Sequence, residues 1–243
     1  MKKSLVLMLL LLTLSGAAGV AQAGGSEAAE AIRRGNERYA RGEYEAAIRQ
    51  YRQVGEGNRE AYAQALYNIG VCYFELNRTE DAIRMYRRAI EARGGLYPKA
   101  LYALGVALEI SGRPEEAKEA YRQTIAASDD NYTEARLAVA HYRLALVLGR
   151  EGDYEGAATL FREALVRSKQ KFPAAHNNLG VMLALSGRVA EAEQEFELAL
   201  RQASVDFAEA AYNLKLCRAR LAKETPAAFT SMKVADATFI LRR

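Results

Sequence analysis

Apolar residues recur at helical spacing in paired stretches from about residue 28 to residue 221, and each pair is interrupted by a short turn centred on Gly42, Asn77, Gly112, Gly152 or Gly187. Gly or Asn at such a break ends one helix and lets the chain reverse into the next, so each pair predicts a helical hairpin. Pro98 and Pro173 sit just inside the starts of two first helices, where a missing N–H costs nothing. The fold expected from this pattern is all-α.

The hairpins are copies of one another. Gly35, Gly70, Gly105, Ala145 and Gly180 are anchors separated by 35, 35, 40 and 35 residues. Each is followed at plus twelve by Ala47, Ala82, Ala117, Ala157 or Ala192, and at plus sixteen by Tyr51, Tyr86, Tyr121, Phe161 or Phe196. A half-copy, "AEAAYNLKLCRARLA", places Lys215 another 35 residues on. Small residues at the anchor and at plus twelve allow two helices to cross closely, and the aromatic fills the space above the crossing. The longer interval adds residues around "AASDDNYTEA", where the array is expected to bend or loosen.

This pattern resembles the tetratricopeptide repeat, with "NIGVCYFELNRTEDAIRMYRRAI" and "NLGVMLALSGRVAEAEQEFELAL" matching its signature most fully. The usual early Trp of that signature is replaced by Ala31, Leu66, Leu101, His141 and His176. The resemblance implies a right-handed superhelical solenoid of about five antiparallel hairpins. These lie near residues 28–61, 63–96, 98–131, 138–171 and 173–206, with a half-repeat over 208–221 that caps the array. It also implies that the first helix of each hairpin lines a concave groove.

By the same resemblance, groove positions lie three and two residues before the anchor and one after it. Reading down the array gives Tyr67, Tyr102, Tyr142, Asn177 and Tyr212, then Asn68, Ala103, Arg143, Asn178 and Asn213. Such a ladder suits an extended peptide: an Asn amide both donates to and accepts from a main chain, and Tyr offers apolar area with a polar end. The competing account is that the Tyr rings pack between first helices and the Asn amides satisfy local backbone. Under the first account, Asn178→Ala and Asn213→Ala weaken partner capture with little change in stability; under the second they lower stability alone. One subfamily grips C-terminal carboxylates with a Lys, Asn and Arg clamp. Asn36, Asn68 and Lys99 match three of its positions, but Ile32 and Ala103 stand where two should be basic, so the clamp is incomplete.

The termini differ from the array. "MKK", the apolar run Leu5 to Leu14 and the small-x-small Ala21-Gln22-Ala23 read as an export signal, cleaved after Ala23 to leave a mature chain from Gly24 in the periplasm or outside the cell. A retained anchor is the alternative, although ten strongly apolar residues are too few for a comfortable span. No later stretch could cross a membrane. The tail, residues 222–243, breaks the repeat at Pro226. It could cap the last hairpin, pair with a partner or stay loosely ordered, with capping the default.

Charge removes one class of partner. The chain carries 34 basic and 30 acidic residues; Lys2 and Lys3 lie in the leader, four basic and two acidic residues lie in the tail, and residues 24–221 hold 28 of each. A balanced array has no phosphate-tracking surface, so nucleic acid is not an expected partner. The candidate chemistry is equally sparse. His141 and His176 share a repeat position without a Cys or carboxylate to complete a metal site, and read as helix-packing substitutes for Trp. Cys72 and Cys217 share another position four repeats apart and read as buried thiols. The Glu–Arg neighbours have the spacing of solvent-facing helical ion pairs. No nucleophile motif or phosphate loop appears, so no cofactor, metal or catalysis is expected. The functional expectation is a non-catalytic scaffold that binds an extended partner segment, with homo-oligomers possible. The alternative is a structural component that assembles through its convex face or end repeats.

Overall fold

The computed structural model describes residues 26–127, 133–203, 206–222 and 231–235 of the 243-residue chain. The export signal read from residues 1–23 and the inserted residues 128–132 lie outside the described residues. The described residues are helical almost throughout, with no strand among them. In chain order the helices are α1 (26–40), α2 (Tyr44–Tyr51), α3 (Arg59–Glu75), α4 (Thr79–Ala92), α5 (Pro98–Ile110) and α6 (Pro114–Ala126). They continue with α7 (Glu134–Arg150), α8 (Tyr154–Arg167), α9 (Pro173–Leu185), α10 (Val189–Gln202) and α11 (Ala208–Leu221).

The chain divides into two compact units between Ala117 and Lys118, inside α6. In the first, α3 packs on α4 as a hairpin, and α2 and α5 pack on its two sides. In the second, α7 pairs with α8 and α9 with α10, while α8 lies on α9 and α10 on α11. Each hairpin thus covers a neighbour's apolar side, an arrangement in which no single hairpin buries its own face.

The repeat spacing has a direct steric cause. A Cβ added to Gly70 would lie 2.5 Å from Cε1 of Tyr86, and one added to Gly180 would lie 2.7 Å from Cε1 of Phe196. The aromatic sixteen residues on therefore rests on the anchor itself. Ala82, Ala157 and Ala192, at plus twelve, are fully buried, as are Phe161 and Phe196. Ala145 replaces glycine in the fourth copy and is fully buried against the same kind of ring, in the cluster that holds Phe161.

Turn chemistry fixes the reversals. At the end of α3 the Asn77 N–H donates to the Phe74 carbonyl (2.9 Å) and the Arg78 N–H to the Tyr73 carbonyl (2.8 Å). That closure needs a left-handed residue, and Asn77 supplies it at φ 58° where the other hairpin turns use glycine. Thr133 and Asp153 cap α7 and α8 by accepting from the Arg136 and Gly156 N–H groups, and Asn58 caps α3 through Ala61.

The ion pairs follow two rules. Some are local, such as Arg113–Glu116 and Arg188–Glu191 at i,i+3. Others link residues 33 apart: Glu60–Arg93 (2.8 Å) and Glu134–Arg167 (3.0 Å) join the two helices of one hairpin, whereas Glu155–Arg188 (3.5 Å) and Glu80–Arg113 (3.6 Å) join neighbouring hairpins. Exposed pairs of this kind contribute about 0.2–1 kcal/mol each. They act more as register marks within and between hairpins than as a source of stability.

Candidate functional site

In the second unit, α7, α9 and α11 are the first helices of their hairpins, and their anchor-minus-two and anchor-minus-three positions converge. Tyr142, Asn177, Asn178 and Asn213 are all fully buried. What covers them is the chain's own C-terminal segment, residues 231–235, of which 232–235 have no regular secondary structure.

The side chains hold that segment by its main chain. Asn213 Nδ2 donates to the Lys233 carbonyl (2.8 Å), and the Lys233 N–H returns a bond to Asn213 Oδ1 (2.9 Å). One repeat earlier the arrangement recurs: Asn178 Nδ2 donates to the Ala235 carbonyl (2.9 Å) and the Ala235 N–H donates to Asn178 Oδ1 (2.7 Å). Each amide thereby closes a two-bond ring with one residue of the segment. Asn177 Nδ2 adds a bond to the Lys233 carbonyl (3.0 Å), and the Tyr142 hydroxyl adds one to the Ala235 carbonyl (2.6 Å). All of these bonds end on main-chain atoms.

The amides also fix one another. Asn213 Nδ2 reaches Asn177 Oδ1 (3.0 Å), Asn177 Nδ2 reaches Asn178 Oδ1 (2.9 Å), and Asn178 Nδ2 reaches the Tyr142 hydroxyl (2.8 Å). The resulting chain runs from α11 through α9 to α7. Tyr142 is held in turn by Phe172, stacked at 4.7 Å, and by Phe161, edge-on at 5.4 Å. Buried amides are tolerated because their polar atoms are satisfied, and the tail supplies part of that satisfaction.

The tail's side chains differ in surroundings. Lys233 is exposed and its ammonium lies 4.9 Å from the centroid of the Tyr212 ring, which is itself 37% exposed. Ala235 is buried, and Met232 is partly buried against the apolar core of the unit. Val234 is 47% exposed. Met232, Val234 and Ala235 border an open cavity of about 440 Å³, whose other walls include Leu146, Tyr154, Val181, Met182 and Leu185. The expected cap over the last hairpin is therefore not what residues 232–235 form; they lie across the first helices, because the buried amides need main-chain partners that a terminal cap would not provide.

Arg143 is half-buried on α7. In the first unit Asn36 Oδ1 accepts from the Tyr51 hydroxyl (2.8 Å) and from Asn68 Nδ2 (3.4 Å). Lys99 Nζ sits 4.6 Å from the centroid of the Tyr67 ring, which also packs on Tyr86 and Tyr97. Asn36 and Lys99 are exposed, and Tyr67, Asn68 and Tyr102 are half-buried. The three clamp-matching residues thus divide into an amide pair and a cation over a ring. Tyr67 and Tyr142 both pack as interhelical rings, and Tyr142 serves the tail as well.

The two histidines, equivalent in sequence, have different partners. His176 Nδ1 lies 2.7 Å from Glu195 Oε2, whereas His141 Nε2 accepts from Arg167 Nε (3.2 Å). Burial, reinforced by the Arg167 charge and only partly opposed by Glu163 and Glu134, holds the His141 pKa below its usual value. Among the described residues no group of three or more His, Cys, Asp or Glu side chains is placed to hold a metal ion. Cys72 and Cys217 are buried, and burial pushes each thiol up to about 12.

Comparison with known proteins bears on this geometry. Family models described as the tetratricopeptide repeat match residues 31–94, and residues 73–132 together with 142–214. The chain belongs to the tetratricopeptide repeat family. Its fold class is accordingly the all-α superhelical repeat solenoid, and proteins of this family bind protein or peptide partners. Among solved structures it is similar to MamA, at 23% identity over 73% of this chain and 92% of that one, with a TM-score of 0.62. It is similar to pilF of Pseudomonas aeruginosa at 22% identity, 83% and 86% coverage and a TM-score of 0.64. It is also similar to YrrB, described as a TPR protein with an unusual peptide-binding site, at 21% identity, 82% and 97% coverage and a TM-score of 0.63. At these identities the likeness shows the repeat fold alone. No curated protein matches the chain. Among the described residues no helix is long and apolar enough to cross a membrane.

Proposed function

We propose that this tetratricopeptide repeat chain is a non-catalytic scaffold that holds an extended segment of a protein partner by its main chain, on the inner side of α7, α9 and α11. The observation that carries the reading is the paired two-bond grip of Asn178 on Ala235 and of Asn213 on Lys233. Every peptide main chain offers the same N–H and C=O, so the grip tolerates sequence, and specificity is left to the flanking pockets. Each bond contributes only about 0.5–1.5 kcal/mol, so affinity requires several rungs together. The peptide-binding site of YrrB, a structure of the same fold, supports this reading.

The site of action we propose is the cell envelope or the extracellular space. This rests on the charged "MKK", the apolar run Leu5 to Leu14 and Ala21-Gln22-Ala23, with Gly24 as the mature first residue. Affinity capture from an envelope extract, run side by side with the mature chain and its Asn178→Ala/Asn213→Ala variant, tests both parts. A partner retained by the first and lost by the second supports the reading; a partner retained equally by both contradicts it. N-terminal sequencing of the fractionated protein should begin at Gly24.

A further inference from the structure

The groove of the second unit is already filled, and its occupant fits it incompletely. Six hydrogen bonds seat the main chain of Lys233 and Ala235. Beside Met232 and Val234, however, the segment leaves a cavity of about 440 Å³ among Leu146, Val181, Met182 and Leu185, with Arg150 also on its wall, and Val234 stays 47% exposed. Ala235 borders the same cavity but is itself buried, its carbonyl held by Tyr142 and Asn178, which leaves room there for only a small side chain. The occupant therefore satisfies the polar half of the groove and leaves the apolar half underfilled.

We propose that Met232–Ala235 is a resident, displaceable occupant of the groove. The partner that displaces it is an extended protein segment with a large apolar residue where the tail has Val234 and a small residue where it has Ala235. The proposal rests on the groove reading and adds to it the pattern of the ligand and the means of its regulation. A tethered occupant acts at an effective concentration near the millimolar range, so it excludes weak or poorly matched segments. A segment that fills the cavity gains burial that valine does not achieve, and wins the exchange. If the tail is docked nine-tenths of the time, it weakens apparent partner affinity about tenfold.

The test uses the full chain and three labelled synthetic peptides, read by fluorescence anisotropy. The first peptide is residues 229–237, "FTSMKVADA"; the others carry Val234→Phe and Ala235→Glu. The proteins are wild type and Lys233→Pro/Ala235→Pro, which lacks both amide hydrogens given to Asn213 and Asn178. Circular dichroism confirms that the variant stays helical, and Ala235→Glu in the full chain provides a second route to release. The expected result is that the first peptide binds the released chain at least tenfold more tightly than wild type. The Val234→Phe peptide should bind more tightly still, and the Ala235→Glu peptide should bind neither chain. Equal binding of the first peptide to both chains overturns resident occupancy and leaves the groove reading intact. No binding of any peptide to the released chain overturns both. A wild-type dimer that becomes a monomer on release places the tail in a second copy's groove and also overturns the proposal.

Discussion

Replacing Asn178 by alanine tests whether the tail is held by a specific amide or merely lies near it. The side chain is fully buried and makes two bonds with Ala235, one as donor at 2.9 Å and one as acceptor at 2.7 Å. At about 0.5–1.5 kcal/mol per bond, removing both costs about 1–3 kcal/mol. The loss has a ceiling. Six bonds contribute about 3–9 kcal/mol in all, while ordering the five residues 231–235 costs about 5–10 kcal/mol, so docking is marginal until the burial of Met232 and Ala235 is added. A weakened tail therefore departs rather than staying with unsatisfied groups. Ala235→Pro removes the N–H that Asn178 accepts, and a double-mutant cycle in urea denaturation separates the two explanations. If Asn178 acts through the tail, the second substitution costs little in the presence of the first, and the coupling is about 0.5–1.5 kcal/mol. If the costs add to within about 0.5 kcal/mol, Asn178 serves only Asn177 and Tyr142, and the reasoning fails.

Other positions give independent checks. Gly180→Ala drives a Cβ into Phe196 at 2.7 Å and should destabilise the second unit by about 1–3 kcal/mol, with Phe196→Leu relieving part of the loss in thermal melts; an unchanged midpoint would contradict the crossing geometry. Asn77→Gly should raise the stability of the first unit by up to about 1 kcal/mol, because Asn77 holds φ 58°, and a loss of stability would mean that its side chain does more than tolerate the turn. His141 has a depressed folded pKa, so the unfolded chain takes up its proton first. Stability should therefore fall as pH drops below about 6.5 until the depressed value is passed, and His141→Gln should flatten that segment of the urea-midpoint profile between pH 7.5 and 5; an unaltered slope assigns the dependence elsewhere. Cys72 and Cys217, with thiols pushed up to about 12, should resist a maleimide at pH 7 in the native chain and react in urea; rapid native labelling would show that they are accessible.

The hairpins were legible because their causes are local and repeated. A glycine under an aromatic ring, an alanine opposite and a left-handed turn residue each leave a sequence mark at fixed offset, and five copies make the marks additive. The groove positions followed from the same register, so Tyr142, Asn177, Asn178 and Asn213 could be named in advance. Their partner could not. Met232–Ala235 lies far along the chain from Tyr142, and main-chain recognition leaves no required side chain to find. The two expectations, peptide grip and packing, do not exclude one another, since the bonds of Asn178 and Asn213 to Ala235 and Lys233 tie the chain's own tail to its array. The pairs between residues 33 apart are not legible in the sequence, since they form only once each hairpin is closed and its neighbour stacked on it. The differing fates of Asn36 and Asn213, both amides at groove positions, likewise depend on what lies across them.

Site-resolved amide hydrogen exchange on the full chain tests most directly whether the Asn ladder grips a main chain. The Lys233 and Ala235 amides, which donate to Asn213 and Asn178, should exchange slowly, and the amide of the half-exposed Val234 between them should exchange faster. Both slow amides should become fast in Asn178→Ala/Asn213→Ala. Uniformly fast exchange across residues 232–235 in the wild-type chain would mean that the ladder does not hold the segment, and the account would fall with it.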